Sequence, residues 1–183
     1  MNNYFTSDIP TIGQLMYDKG YIIGTQGNLS FRVDQKDQSR IFITPTGFHK
    51  GFLRPDEIIC VKMNGEVVQP GELKPSSDLA MHLAIYQLRE DVKAIIHAHP
   101  PLVVAGDDFS DKVLSKEIVE IQSMFTDVDN LSAFLAKNLK TFDTLIIPGH
   151  GTITIGKTLQ EAFIRLEELE YEMKIWFLTK IIS

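Results

Sequence analysis

Two histidines separated by one residue, in the run Ile95-Ile96-His97-Ala98-His99-Pro100, constrain this chain more than any other feature. The stretch Ala94 to His99 reads as a strand, and residues i and i+2 of a strand point to one face, so both imidazoles stand close enough to share a cation. A third histidine lies in Pro148-Gly149-His150-Gly151, a tight turn. Its flanking glycines let the backbone bend sharply and bring the ring against a neighbouring strand. Three neutral imidazoles leave one position of a zinc ion open, which is the ligand set of a catalytic site and not of a structural one. Taken alone, a His-X-His pair also serves as a hydrogen-bonded core element; the Gly-His-Gly turn favours the metal. The other two histidines lack such a setting. His82 falls on an expected helix and reads as a surface or packing residue, while His49 lies in a loop and stays open.

The rest of the pattern supplies a sheet for that strand. A helix is expected from Ser7 or Asp8, entered through Pro10, with Ile12, Leu15 and Met16 inward and Gly20 as its stop. Leu29, Phe31 and Val33 alternate with Ser30 and Arg32 as a half-buried strand, followed by strands at Ile41 to Ile43 and Ile58 to Lys62. Asn64-Gly65 marks a hairpin turn into Glu66-Val67-Val68. Ser76 or Ser77 caps a helix that runs to Arg89. Further on come a strand at Ile118 to Ile121, a helix from Asp129 to Leu139, and strands Thr144 to Ile147 and Thr152 to Ile155 on either side of His150. Thr158 and Glu161 have capping-box spacing for a final helix to about Ile181. Strands outnumber helices and arrive partly as hairpins, so the fold class is α/β, a mixed or mainly antiparallel central sheet covered by helices. No repeat or linker divides the 183 residues, and residues 1–183 are expected to form one domain.

Charge and composition exclude several partners. A net charge of −6 with no basic stripe argues against nucleic acid. No apolar stretch approaches the roughly 20 residues of a membrane span, and the start Met1-Asn2-Asn3-Tyr4-Phe5 lacks signal-peptide character. The single cysteine, Cys60, excludes an internal disulfide and reads as core filler. A cytoplasmic protein is expected. An anionic substrate would need local donors, because the overall field does not attract it. Three segments offer them: Gly24 to Ser30, Thr44-Pro45-Thr46-Gly47 and Pro75-Ser76-Ser77. Each puts hydroxyls, an amide or free backbone N–H groups in a tight turn, and together they could hold a phosphate without Lys or Arg.

The ordered series G-T-x-G-N-L-S, I-T-P-T-G, P-S-S-acid, H-A-H-P and G-H-G resembles the class II aldolase/adducin head domain family over about Ile12 to Ile175. That resemblance implies a three-layer α/β/α domain with a mostly antiparallel sheet. It implies zinc on His97, His99 and His150, although imidazoles also suit other divalent metals. It implies a substrate phosphate held by Asn28, Thr46, Gly47, Ser76 and Ser77, with Asp78 as the catalytic acid/base. The activity implied is a zinc-dependent lyase that cleaves a small ketose phosphate, similar to L-fuculose 1-phosphate, into a triose phosphate and an aldehyde. The alternatives within the family are a sugar-phosphate dehydratase of the methylthioribulose-1-phosphate type and an adducin-like interaction module. Homotetramers are usual there, with the active site at the subunit interface. Two departures stand out: Asp78 occupies a position where glutamate is usual, and no tyrosine lies between His99 and His150.

Overall fold

The computed structural model describes residues 4–34, 38–106, 118–120, 142–147 and 149–182. Among these residues seven strands are formed: β1 (Asn28–Val33), β2 (Arg40–Ile43), β3 (Ile59–Lys62), β4 (Ala94–Ala98), β5 (Ile118–Glu120), β6 (Thr144–Ile147) and β7 (Gly151–Gly156). They make one sheet in the order β3-β2-β1-β4-β7-β6-β5. Every neighbouring pair is antiparallel except β5 and β6, which run parallel. The helices are α1 (Tyr4–Asp18), α2 (Leu79–Leu88), α3 (Pro101–Ala105) and α4 (Leu159–Ile182).

Alternation along the strands builds two cores. Ile41, Ile43, Ile95, Ile153 and Ile155 pack on one side of the sheet with Leu83, Ile85 and Tyr86 of α2. Leu29, Ala94, Ile96 and Ala98 pack on the other with Ile9, Ile12 and Met16 of α1 and with Ala162, Phe163 and Leu166 of α4. The outcome is the expected α/β/α sandwich. The polar positions of β1 are not its open side: Ser30 and Arg32 are buried like Leu29, while Phe31 and Val33 are partly exposed. A strand that alternates apolar and polar residues here faces a helix on each side, and its polar face meets the polar side chains of α2.

Local departures have local causes. Helix α1 starts at Tyr4, before the expected cap, and carries Pro10 in its interior. Ile9 takes a buried position and Leu15 is 39% exposed, so the inward stripe is rotated from the one expected. The helix does stop at Gly20, whose φ of +73° admits a Schellman ending: Gly20 N–H donates to Tyr17 O and Tyr21 N–H to Met16 O. The hairpin at Asn64-Gly65 forms, but its second arm makes a single bridge, Val61 to Val67, and no full strand. Asp78, not either serine, takes the N-cap position of α2 and makes no side-chain cap there. Cys60 is half-buried. The expected helix from Asp129 to Leu139 lies outside the described residues, and among the described residues no helix is long and apolar enough to cross a membrane.

Register brings the chemistry to one end of the sheet. Asn28 pairs with His97 across β1 and β4, and Ala98 pairs with Thr152 across β4 and β7. Gly27 makes the first pairing possible: its φ is +67°, and a Cβ there would lie 2.8 Å from His97 O and 2.7 Å from Ile22 Cγ2. Gly24 has a similar φ of +57° but open space around it. Gly24→Ala should therefore cost only the left-handed strain of about 1–2 kcal/mol, and Gly27→Ala clearly more, read from urea unfolding midpoints. Equal losses for the two variants would show that the close approach to His97 carries no energetic weight.

Candidate active site

The three histidines predicted from the sequence meet. His97 and His99 project from the end of β4 on the side of α2, and His150 comes from the turn joining β6 to β7. The Nε2 atoms of His99 and His150 lie 3.0 and 3.3 Å from that of His97. A tetrahedral zinc with nitrogens at about 2.0–2.1 Å spaces its ligands about 3.3 Å apart; two of the three spacings are close to that, and all three donor atoms lie within 4.8 Å of one another, so the set could hold such an ion. The other ring nitrogen of His97, Nδ1, is 2.9 Å from Thr152 O and donates to it, which leaves Nε2 as the atom that could bind a metal. Burial lowers the His97 pKa from its ordinary value. Burial, reinforced by the other two histidines, lowers that of His99 to about 4. Both imidazoles are neutral at pH 7, the form that binds metal.

The two glycines around His150 do different work. Gly149 has a φ of +68° and makes the bend. Gly151 is needed for space: a Cβ there would sit 2.3 Å from Ala98 O and 2.8 Å from His99 Cδ2. The bend aims His150, and the missing side chain lets the turn lie against β4.

A cleft of about 220 Å³ opens beside the triad, and all nine predicted site residues line it. The three anion-type turns reach it because they are tied together. Pro45 bridges Pro75, Thr46 N–H donates to Lys74 O, Ser76 N–H to Thr44 O, and Leu29 N–H to Thr44 Oγ1. Ser76 Oγ accepts from Asp78 N–H, so the serine steadies the start of α2 while Asp78 keeps its carboxylate for the cleft. Asn28 Nδ2 donates to that carboxylate at 2.6 Å.

Behind Asn28 runs a buried chain that sequence reading did not find. His82, expected as a surface or packing residue, is fully buried, with Nε2 2.5 Å from Asn28 Oδ1 and Nδ1 2.6 Å from Ser30 Oγ. Ser30 Oγ lies 2.8 Å from Tyr86 OH. Burial lowers the His82 pKa to about 3, so the ring is neutral. An amide oxygen only accepts, so Nε2 carries the proton; Nδ1 then accepts from Ser30, which accepts from Tyr86. One tautomer satisfies the whole line, and it fixes the Asn28 amide with its N–H side toward Asp78. A signal was available: Asp78, His82 and Tyr86 lie at i, i+4 and i+8, one face of a helix.

Lys50 is a second residue of the cleft outside the sequence reading, which named no Lys or Arg there. Its side chain lines the cleft, 1% exposed, and Nζ donates to Thr25 O at 2.8 Å and Phe48 O at 2.7 Å. Burial lowers its pKa to about 8. Nothing in the spacing of a loop lysine marks it. His49 is structural: its Nδ1 accepts from Gly51 N–H and its ring stacks on Phe52 at 4.4 Å.

Residues 7–177 match the model of the family described as Class II Aldolase and Adducin N-terminal domain. An L-fuculose phosphate aldolase of Methanococcus maripaludis is 36% identical over 166 residues, covering 87% of this chain and 88% of that protein. A 5-deoxy-D-ribulose 1-phosphate aldolase of Bacillus thuringiensis is 29% identical over 96% of this chain and 85% of its own. The solved structure of an L-fuculose 1-phosphate aldolase superposes with a TM-score of 0.82 at 28% identity, covering all of this chain and 89% of that one.

The buried, neutral His82 makes stability depend on pH. Its folded pKa of about 3 lies below an unfolded value of about 6.5, so the unfolded chain takes up the proton first as pH falls. Stability from this residue is complete above pH 6.5 and is lost toward pH 3, at up to about 1.4 kcal/mol per unit. Urea midpoints between pH 7 and 4.5 should fall more steeply for the native chain than for His82→Gln. Parallel slopes would contradict a neutral buried imidazole.

Proposed function

The chain belongs to the class II aldolase and adducin N-terminal domain family, and from that premise we propose a zinc-dependent aldolase that cleaves a small ketose phosphate into a triose phosphate and an aldehyde. The family and its aldolase relatives make it a lyase-type enzyme. What carries the finer reading is one juxtaposition: three converging Nε2 atoms, a carboxylate and three anion-type turns share a single cleft. The substrate is drawn as similar to L-fuculose 1-phosphate because relatives named L-fuculose phosphate aldolase are 31–36% identical.

His97, His99 and His150 would hold the metal, which when bound supplies Lewis-acid stabilisation of the negative charge that builds on the substrate's oxygens. Ser76, Ser77, Thr46 and Gly47 would take the phosphate through hydroxyls and backbone N–H groups, and Asn28 would add the remaining N–H of its amide. Asp78 would move the proton. Asn28 engages Oδ2, so the transfer is assigned to Oδ1. Although shorter than the usual glutamate, Asp78 lines the same cleft as the triad, which supports its acid/base role. We take residues 1–183 as one domain working in the cytoplasm as a homotetramer. The apolar side chains exposed near the end of α4, Ile175, Leu178, Ile181 and Ile182, support an assembled state.

A panel of ketose phosphates incubated with zinc-loaded protein, followed by chromatography and mass spectrometry, tests the reaction. A triose phosphate and an aldehyde are expected; loss of water alone would select a dehydratase, and an isomer of equal mass an epimerase. His97→Ala should lose bound zinc and reduce kcat/KM more than about 100-fold. Asp78→Asn should keep its zinc and lose about 100- to 10,000-fold in kcat. A His97→Ala protein with full zinc content would overturn the metal assignment.

A further inference from the structure

We propose that Lys50 is an anion-binding residue of the active site, supplying the phosphate subsite with the positive charge that its three turns do not contain. This rests on the sugar-phosphate reading and specifies how that substrate's charge is met. Among the described residues that line the cleft, Lys50 is the one Lys or Arg, in a chain of net charge −6. An ammonium has three N–H donors. Two go to the carbonyls of Thr25 and Phe48, which leaves one for a ligand.

The partners of Lys50 give its position meaning. Thr25 belongs to the turn that leads into Asn28, and Phe48 directly follows Thr46-Gly47. The ammonium therefore sits at the seam of two of the turns that line the cleft. No carboxylate among the described residues comes within ion-pair distance of Nζ, and Asp78 reaches it only through longer-range attraction. A buried ammonium held by carbonyls alone is incompletely compensated, because neutral acceptors do not replace a counter-charge. A phosphate dianion in the cleft would complete the pairing, and Lys50 would offset the repulsion between that dianion and Asp78. The competing role is purely mechanical, a clamp that fastens two loops. A clamp would keep its function with any donor of similar length and would give no reason for a charge beside the cleft.

Binding of inorganic phosphate to the zinc-loaded protein, followed by calorimetry, separates the two. Lys50→Met should weaken phosphate binding at least about tenfold while zinc content is kept, and Lys50→Arg should restore part of the loss. In turnover, Lys50→Met should raise KM for a phosphorylated ketose with a smaller change in kcat. Native phosphate affinity in a folded Lys50→Met protein overturns the proposal. If that variant fails to fold, lysine labelled with ¹³C at Cε supplies the answer in the native protein. The Lys50 resonance, assigned through its absence in Lys50→Arg, must shift as phosphate is added, and a resonance unmoved at saturation also overturns it. These measurements do not depend on carbon–carbon cleavage. A chain that binds phosphate through Lys50 yet cleaves no ketose phosphate would refute the aldolase and not this residue's role.

Discussion

The site depends on the placement of β4 as the middle strand of seven, hydrogen-bonded along both edges and buried on both faces. A strand so enclosed has one register, because a slip of one residue would turn Ile95 and His97 toward α1 and α4 and expose Ile96 to the wrong core. With the register set, Asn28 lies beside His97 on one edge and Thr152 beside Ala98 on the other. The place of His97, the residue that holds the Asp78 carboxylate and the carbonyl that orients His97 are thus consequences of how β4 pairs with its two neighbours. Gly27 and Gly151 stand at the two contacts where a side chain would force that pairing apart.

Around this strand the site is rigid by burial and hydrogen bonding. His97 is oriented by Thr152, and Asn28 by the line of His82, Ser30 and Tyr86. Each link is a buried polar group satisfied by the next, so none can turn without leaving a donor or acceptor unpaired, at about 1–3 kcal/mol. Asp78 gains from this. It occupies the N-cap of α2 but does not spend its carboxylate there, because Ser76 supplies the local hydrogen bond. The shorter acid is held where the cleft needs it by a neighbour that cannot rotate.

Much of this was legible in the chain. His-X-His and Gly-His-Gly pointed to a common metal site, and the elements that carry them are strands and a turn as expected. The serine and threonine turns were recognisable as anion-type segments, and all of them line the cleft. His82 is within reach of the sequence, since Asp78, His82 and Tyr86 share a helical face, but a lone histidine on a helix reads first as a surface or packing residue. The alternation in β1 misled for a related reason. Ser30 and Arg32 look like a solvent face because period-2 patterning reports polarity and not exposure, and here the polar face meets the polar side of α2.

Sequence by itself determined the fold class, the three histidines that come together and the turns that line the cleft, because these follow from residue type and short-range spacing. Tertiary structure alone decided which polar residues act together. Lys50 is held at the cleft by residue 25, 25 positions away, and Asn28 is aligned by a ring 54 positions away. Such partnerships join segments distant along the chain, and no periodicity records them. They exist because β1, β4 and α2 meet at one end of the sheet, where Asn28, His82, Ser30 and Tyr86 are buried together and hydrogen-bond to one another.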